Sequence, residues 1–387
     1  MSAYAQIIPN TWKGIFAVDF TLKQTRLSSY QLSEILLKQN KSCLIAYDTR
    51  FMSNLFAQDI ANIFEIQGVK VHLAAMPAPL PAIQLALSQQ QIPYALVVTA
   101  RNDPYWYNGL VILETALQPT LPLLTPPAVL NPIFAWPTFP PPLPKAAEAM
   151  LNLRGPYLEM LREKLDVNLI RRSPLTLFVD PMCGTTTGCV PLIIGDGSQT
   201  RAVEINRETD PLFSKLTPLP VGTDLARIKK LVRESDSHLG LAFSADGTAL
   251  GVVDKAGNQL DQVEIALLLA SYLARQYRQK GLIIVPQPLA GSPLATNLKG
   301  LSVWQESLGL QVEFSAEATD QIRCNLAQEQ PTLLLGCTPE GEIVFGQGNR
   351  CPDALFAGML IVEQVVRNGS NLRALLNDLH LALKGAA

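Results

Sequence analysis

Thr99-Ala100-Arg101-Asn102-Asp103-Pro104-Tyr105-Trp106-Tyr107-Asn108-Gly109 is the stretch on which the reading of this chain turns. The apolar run from Tyr94 to Thr99 has strand length and delivers the chain into a polar loop. Upstream, Cys43-Leu44-Ile45-Ala46-Tyr47 reads as another strand and is followed by Asp48-Thr49-Arg50. Helical patterns run from about Ser29 to Gln39 and from about Ser53 to Gln67, the second stopping at the natural C-cap Gly68. A strand from Val69 to Leu73 follows it. Strands and helices alternating at these lengths predict a layered α/β domain.

The same rhythm recurs twice downstream. One segment has a helix around Tyr157 to Leu165, a strand from Leu175 to Val179, a glycine-containing turn from Asp180 to Gly188 and a hairpin from Leu239 to Asp254. The next has an amphipathic helix from about Gln262 to Arg278, strands at Gly281–Val285 and Thr332–Leu335, and a helix from about Asp353 to Val366. A last helix is expected over Asn371 to Leu383. The segments divide as 1–150, 151–258 and 259–370, with a helical tail at 371–387. A proline-rich stretch at 118–145 reads as an irregular surface connection, because proline removes backbone donors and blocks helix.

Of 387 residues, 48% are apolar and 17% charged, which excludes a disordered chain. A net charge of −2 with scattered Lys and Arg leaves no basic face for nucleic acid or anionic lipid. No signal peptide or bilayer-spanning run is read, so a soluble cytoplasmic protein is expected. Six cysteines without a C-x-x-C pair, and only three histidines, predict buried thiols in a reducing compartment rather than a zinc site.

The 99–109 stretch resembles the active-site loop of the phosphohexomutases, the phosphoglucomutase/phosphomannomutase superfamily, which runs T-A-S-H-N-P-x-x-Y-N-G. Trp12-Lys13-Gly14-Ile15-Phe16-Ala17-Val18-Asp19-Phe20-Thr21 is similar to that family's W-R-G-I-I-x-x-D-F-T, with Lys13 in place of arginine. Ala46-Tyr47-Asp48-Thr49-Arg50-Phe51-Met52-Ser53 resembles its G-Y-D-x-R-x-x-S, and Val179 to Gly184 its V-D-x-x-x-G. The resemblance spans nearly the whole chain. It implies an α/β fold of three consecutive domains with mixed sheets flanked by helices, and a place among intramolecular phosphotransferases of carbohydrate metabolism.

Four departures from the family pattern fall at working positions. The serine that carries the phosphoryl group in the family is here Arg101, with Asn102 and Asp103 beside it. A guanidinium stays protonated and has no nucleophilic lone pair. The family's magnesium loop D-G-D-x-D-R corresponds to 244–249, where Ser244, Asp246 and Thr248 stand at its aspartate positions and Ala249 replaces the arginine. One carboxylate does not hold Mg²⁺, which requires near-octahedral oxygen ligation. The sugar-reading G-E-x-S-G loop corresponds to 337–341, with Thr338 and Glu340 in place of glutamate and serine. The R-x-S-G-T-x-P phosphate grip of the fourth domain is not found, and that domain is expected to be absent.

These departures lead to a catalytically inactive homologue, without cofactor, that acts as a scaffold or regulatory partner of another protein. Arg101 and Asp246 are expected to form a salt bridge in place of the metal. Tyr105, Trp106 and Tyr107 are the candidate partner-binding residues, with packing of Trp106 on the 118–145 stretch as the alternative. Two other readings stay open: a sugar-phosphate sensor using Lys13, Arg50 and Arg101 as an anion site, and a residual phosphotransferase with Thr99 as nucleophile.

Overall fold

The computed structural model describes residues 10–116, 120–122, 150–213, 217–289, 293–296, 298–328, 332–369 and 371–385. The first domain runs β1 (Thr11–Ile15), α1 (Leu22–Lys38), β2 (Cys43–Tyr47), α2 (Ser53–Ile66), β3 (Val71–Ala74), α3 (Leu80–Gln90), β4 (Tyr94–Val98), β5 (Tyr107–Glu114) and β6 (Met150–Leu151). Its sheet has the order β1-β5-β4-β2-β3-β6. Strands β4, β2, β3 and β6 pair in parallel, while β5 runs antiparallel to both β4 and β1. Both β2 and β4 are almost wholly buried, which is why they read as unbroken apolar runs rather than alternating ones. One face carries α1 and α2 around Phe20, Phe56 and Phe64, and the other carries α3 around Leu80, Ile83 and Leu87.

The second domain runs α4 (Arg154–Lys164), α5 (Val167–Arg172), β7 (Thr176–Asp180), α6 (Cys189–Ile194), β8 (Arg201–Glu204), α7 (Ala226–Glu234), β9 (Leu239–Phe243) and β10 (Leu250–Asp254), with sheet order β10-β9-β7-β8. The third runs α8 (Gln262–Tyr277), β11 (Gly281–Pro286), α9 (Pro293–Thr296), α10 (Leu301–Leu308), β12 (Leu310–Ser315), α11 (Ala318–Leu326), β13 (Leu333–Cys337), β14 (Ile343–Phe345), α12 (Ala354–Arg367) and α13 (Leu372–Lys384), with sheet order β12-β11-β13-β14. A continuous hydrophobic core runs through both of these domains, from Tyr157 to Leu383. Glu363 adds a polar junction between them: the hydroxyls of Tyr272 and Tyr277 and the backbone N–H of Asp166 all donate to its carboxylate.

Helix α1 begins seven residues before the Ser29 expected from sequence. Thr21 caps it by accepting from the Gln24 N–H, and its first turns are polar (Lys23, Gln24, Thr25, Arg26), so they carry no apolar periodicity. Strands β1, β5, β6, β8, β12 and β14 and helices α3, α5, α6, α7, α9, α10 and α11 are not expected from the sequence pattern. The proline-rich stretch 118–145 lies outside the described residues apart from 120–122, as does any contact of Trp106 with it. No described helix is long and apolar enough to cross a membrane.

Candidate functional site

Three loops, one from each domain, converge on the Arg101 side chain. The first is the β4–β5 connection. Arg101 takes a left-handed backbone conformation (φ 57°), and its N–H donates to Thr99 Oγ1 at 2.8 Å. The loop is held from below by Arg50. Its guanidinium donates to the carbonyls of Arg101 (2.7 Å), Asp103 (2.6 Å), Pro104 (2.9 Å) and Tyr107 (3.1 Å). Asp48 in turn pairs with Arg50 Nε at 3.2 Å and accepts from Ser53 Oγ at 2.8 Å, while Asn108 Nδ2 donates to Ser53 Oγ at 3.1 Å. The stretch 46–53 is therefore a cradle built to shape loop 99–109. Gly109 closes that loop, and a Cβ there would lie 2.5 Å from the Trp12 carbonyl oxygen and 2.8 Å from that of Thr99.

The second loop, 244–249, joins β9 to β10. Asp246 Oδ1 accepts from Ser244 Oγ (2.7 Å), Thr248 Oγ1 (2.7 Å) and the Thr248 N–H (3.1 Å). Its other oxygen, Oδ2, faces Arg101 Nε at 3.1 Å. Backbone bonds tie this loop to both other domains: the Asp246 carbonyl accepts from Leu80 N–H, and the Gly247 carbonyl from Ala354 N–H. Gly247 has φ 78°, and a Cβ on it would meet Pro79 at 2.7 Å, so glycine is required on both counts.

The third loop, 337–342, brings a residue that sequence reading passed over. Glu342 Oε1 accepts from Arg101 Nη2 in a short ion pair, and Thr248 Oγ1 lies 3.3 Å from the same nitrogen. Thr338 is buried and shapes this turn, its Oγ1 accepting from the Glu342 N–H at 3.1 Å, while Glu340 is half-exposed beside it. Glu342 sits one position beyond the stretch compared with the sugar loop. An acidic residue directly after Gly341 was the only signal available.

Arg101, Asp246 and Glu342 are respectively 3%, 2% and 5% exposed, so one guanidinium and two carboxylates are enclosed together. Burial opposes the Arg101 charge, but Glu342 and Asp246 outweigh it and push its pKa up. Burial would also raise Asp246, yet Arg101 and the Thr248 and Ser244 hydroxyls hold it below the usual carboxylate range. Glu342 goes the other way, because burial and the Asp246 charge exceed the pull of Arg101. Lys13 Nζ pairs with Asp103 Oδ2 at 2.7 Å, so Lys13, Arg50 and Arg101 each face a carboxylate of the protein. Thr99 is fully buried, and Asn102 is half-buried with its Oδ1 enclosed. The donor set of 244–249 does not suit Mg²⁺: its single carboxylate is taken up by two hydroxyls, an amide and a guanidinium. Among the described residues, no group of three or more His, Cys, Asp or Glu side chains could hold a metal ion.

Around this centre, Phe213 of the second domain lies over the Arg50 guanidinium, 5.0 Å from ring centroid to Cζ. Tyr105 packs against the buried cluster of Phe213, Cys183 and Ala245, whereas Trp106 is 48% exposed and Tyr107 half-buried. The aromatic trio is thus split, with only Trp106 presenting its ring outward.

Models of the phosphoglucomutase/phosphomannomutase α/β/α domains I and II match residues 10–119 and 155–257, together more than half of the chain. This protein belongs to the phosphohexomutase superfamily. It is 25% identical over 367 residues to a phosphoglucosamine mutase of Vibrio cholerae, covering 94% of this chain and 77% of that one. A probable phosphoglucosamine mutase of Methanothermobacter thermautotrophicus is 22% identical, over 84% of this chain and 68% of its own. The fold superimposes on a phosphomannomutase-type protein of Thermus thermophilus with TM-score 0.79 at 21% identity, covering 100% of this chain and 85% of that one. The open form of parafusin from Paramecium gives TM-score 0.70 at 12% identity, covering 98% and 77%. Phosphohexomutases are intramolecular phosphotransferases.

A further buried carboxyl lies behind the site. Asp353 caps α12 through the Phe356 N–H and accepts from the Tyr157 hydroxyl at 2.6 Å. Burial pushes it up to about 6 from 3.8, against the help of those two bonds. The native state therefore holds this proton when the unfolded chain has lost it, and stability falls as pH rises from about 4 to about 6. The full difference is on the order of 3 kcal/mol. Asp353→Asn keeps the acceptor Oδ1 and removes the titration. Thermal midpoints of the two proteins followed between pH 4 and 7 should converge at the acid end and separate in the variant's favour toward pH 7. Parallel curves would mean that Asp353 titrates normally.

Proposed function

We propose that this phosphohexomutase has no mutase turnover and serves as a scaffold or regulatory partner of another protein. The observation that carries this reading is the Arg101 guanidinium, buried where three domains meet and neutralised by Asp246 and Glu342. By the family resemblance, the phosphoryl-bearing serine and the metal would stand there. A fixed internal cation replaces both, and its carboxylate partners would repel an incoming phosphate.

A surface for the partner lies one layer out. Phe51, Trp106 and Leu212 are 52%, 48% and 45% exposed, and with Phe16 they border a cleft of about 210 Å³ between the first two domains. Exposed aromatics grouped at a concave site make effective interface anchors.

The discriminating experiment is a coupled mutase assay beside a thermal-shift titration with hexose 1-phosphates, 6-phosphates and 1,6-bisphosphates, with and without Mg²⁺. Glucosamine 6-phosphate joins the panel because the Vibrio cholerae relative is a phosphoglucosamine mutase. A ligand at 100 times its Kd adds about 2.7 kcal/mol, so binding would be plain. No turnover and no shift are expected. A saturable shift without turnover would replace the scaffold by the sugar-phosphate sensor, and turnover would overturn both.

A further inference from the structure

A second concave site, lined by none of the residues of the Arg101 centre, lies between the second and third domains. It is a cleft of about 370 Å³, within the size range of small-molecule sites. Its walls come from α8, β13, β14 and α12, through Leu273, Leu334, Phe345, Phe356 and Leu360. Leu273, Leu334 and Leu360 are buried, so the floor is apolar and set by the core itself. The Phe345 and Phe356 rings pack against each other at 4.9 Å between centroids and form one aromatic side.

One cation stands at the mouth. Lys164, the last residue of α4, is exposed and holds its ammonium 5.7 Å from the Phe356 ring centroid. Among the described residues it forms no ion pair, and its side chain reaches across the cleft toward Gly348. The exposed amide of Gln347 lines the same rim. Two acids lie close by, each already bonded. Asp353 borders an adjoining chamber of about 60 Å³ that shares Lys164 and Gln347 with the cleft, and is bonded to Tyr157 and to the start of α12. Glu363 accepts from the hydroxyl of the lining Tyr277. An anionic group is therefore favoured beside Lys164 and disfavoured against Asp353 and Glu363, while the leucine and phenylalanine walls take apolar atoms. Lys164 comes from the second domain and the walls from the third, so an occupant would contact both.

We propose that this cleft binds an amphipathic organic anion, with an apolar body against Phe356 and Leu334 and its carboxylate, sulfonate or phosphate oxygens on Lys164 and Gln347. The probe is 8-anilinonaphthalene-1-sulfonate, which has this chemistry and brightens in apolar surroundings. Decanoate and 2-naphthoate serve as aliphatic and aromatic competitors, and decylamine as a body of the same kind with the opposite charge. Lys164→Glu and Gln347→Trp both change exposed positions, the first reversing the charge and the second filling the mouth. Trp106→Ala removes the exposed indole of the cleft between the first two domains.

Saturable binding to the native protein is expected, weakened about tenfold or more by K164E, as loss of a charged hydrogen bond predicts. Q347W should weaken it too, and W106A should leave it unchanged. Displacement by a carboxylate but not by decylamine is the matching competition result, and which carboxylate wins tells an aliphatic from an aromatic occupant. The proposal is overturned if K164E and Q347W bind the probe like the parent, if W106A abolishes binding, or if decylamine competes as well as decanoate.

Discussion

Arg101→Met is expected to lower the stability of the fold by about 3–5 kcal/mol, the cost of leaving buried charges without their partner. Asp246 and Glu342 are 2% and 5% exposed, and methionine fills much of the arginine's volume without neutralising either carboxylate. The loss should reach all three domains, because loop 244–249 is bonded to Leu80 on one side and to Ala354 on the other. Hydrogen exchange should therefore accelerate in β9, β10 and the start of α12 as well as in the Arg101 loop. Adding Glu342→Gln should recover part of the loss, since only Asp246 would remain charged, and its Oδ1 keeps three donors. A denaturation midpoint that barely moves in R101M would show that Arg101 is not enclosed with these two carboxylates. A double variant no better than the single one would remove Glu342 from the account.

The next largest effect is expected at Arg50. Four backbone carbonyls of residues 101–107 share its guanidinium, and Asp48 depends on it for charge compensation. Burial pushes Asp48 up while Arg50 pulls it down, so the pair depends on that proximity. Arg50→Met removes every one of these donors and should cost roughly 3–6 kcal/mol, given charged hydrogen bonds of about 1.5–3 kcal/mol that do not add fully. The signature differs from that of R101M. Exchange should rise first in residues 101–109, and Trp106 fluorescence should change as the loop loosens and the Phe213 ring loses its cation. If loop protection stays intact in R50M, the four carbonyl bonds do not hold the loop in place.

Much of the scaffold was legible from local sequence. Buried strands such as Cys43–Tyr47 and Tyr94–Val98 are short apolar runs, and the cap at Gly68 and the amphipathic pattern of Gln262–Tyr277 are set by residues within a few positions of each other. The elements missed were those whose local signal is weak. The first turns of α1 are polar, and β8 lies at a sheet edge with its residues exposed or half-buried. The motifs pointed to the loops that matter because each is a tight local constellation: Asp48, Arg50 and Ser53 bond within or just beyond one turn, as do Ser244, Asp246 and Thr248.

What the amino-acid sequence by itself determined was the family scaffold and the presence of Arg101, a residue that cannot carry a phosphoryl group, at the centre of its loop. Only the tertiary structure decided what Arg101 does there. Its partners lie 145 and 241 positions away, and Glu342 belongs to no motif shared with the loop it closes. Phe213 on Arg50, and Lys164 across the cleft from Leu334, are likewise meetings between domains. Local propensity acts over a few residues, whereas an ion pair or a cleft wall depends on how whole sheets and helices pack. That packing follows from core burial summed over the domains, which no short stretch of sequence contains.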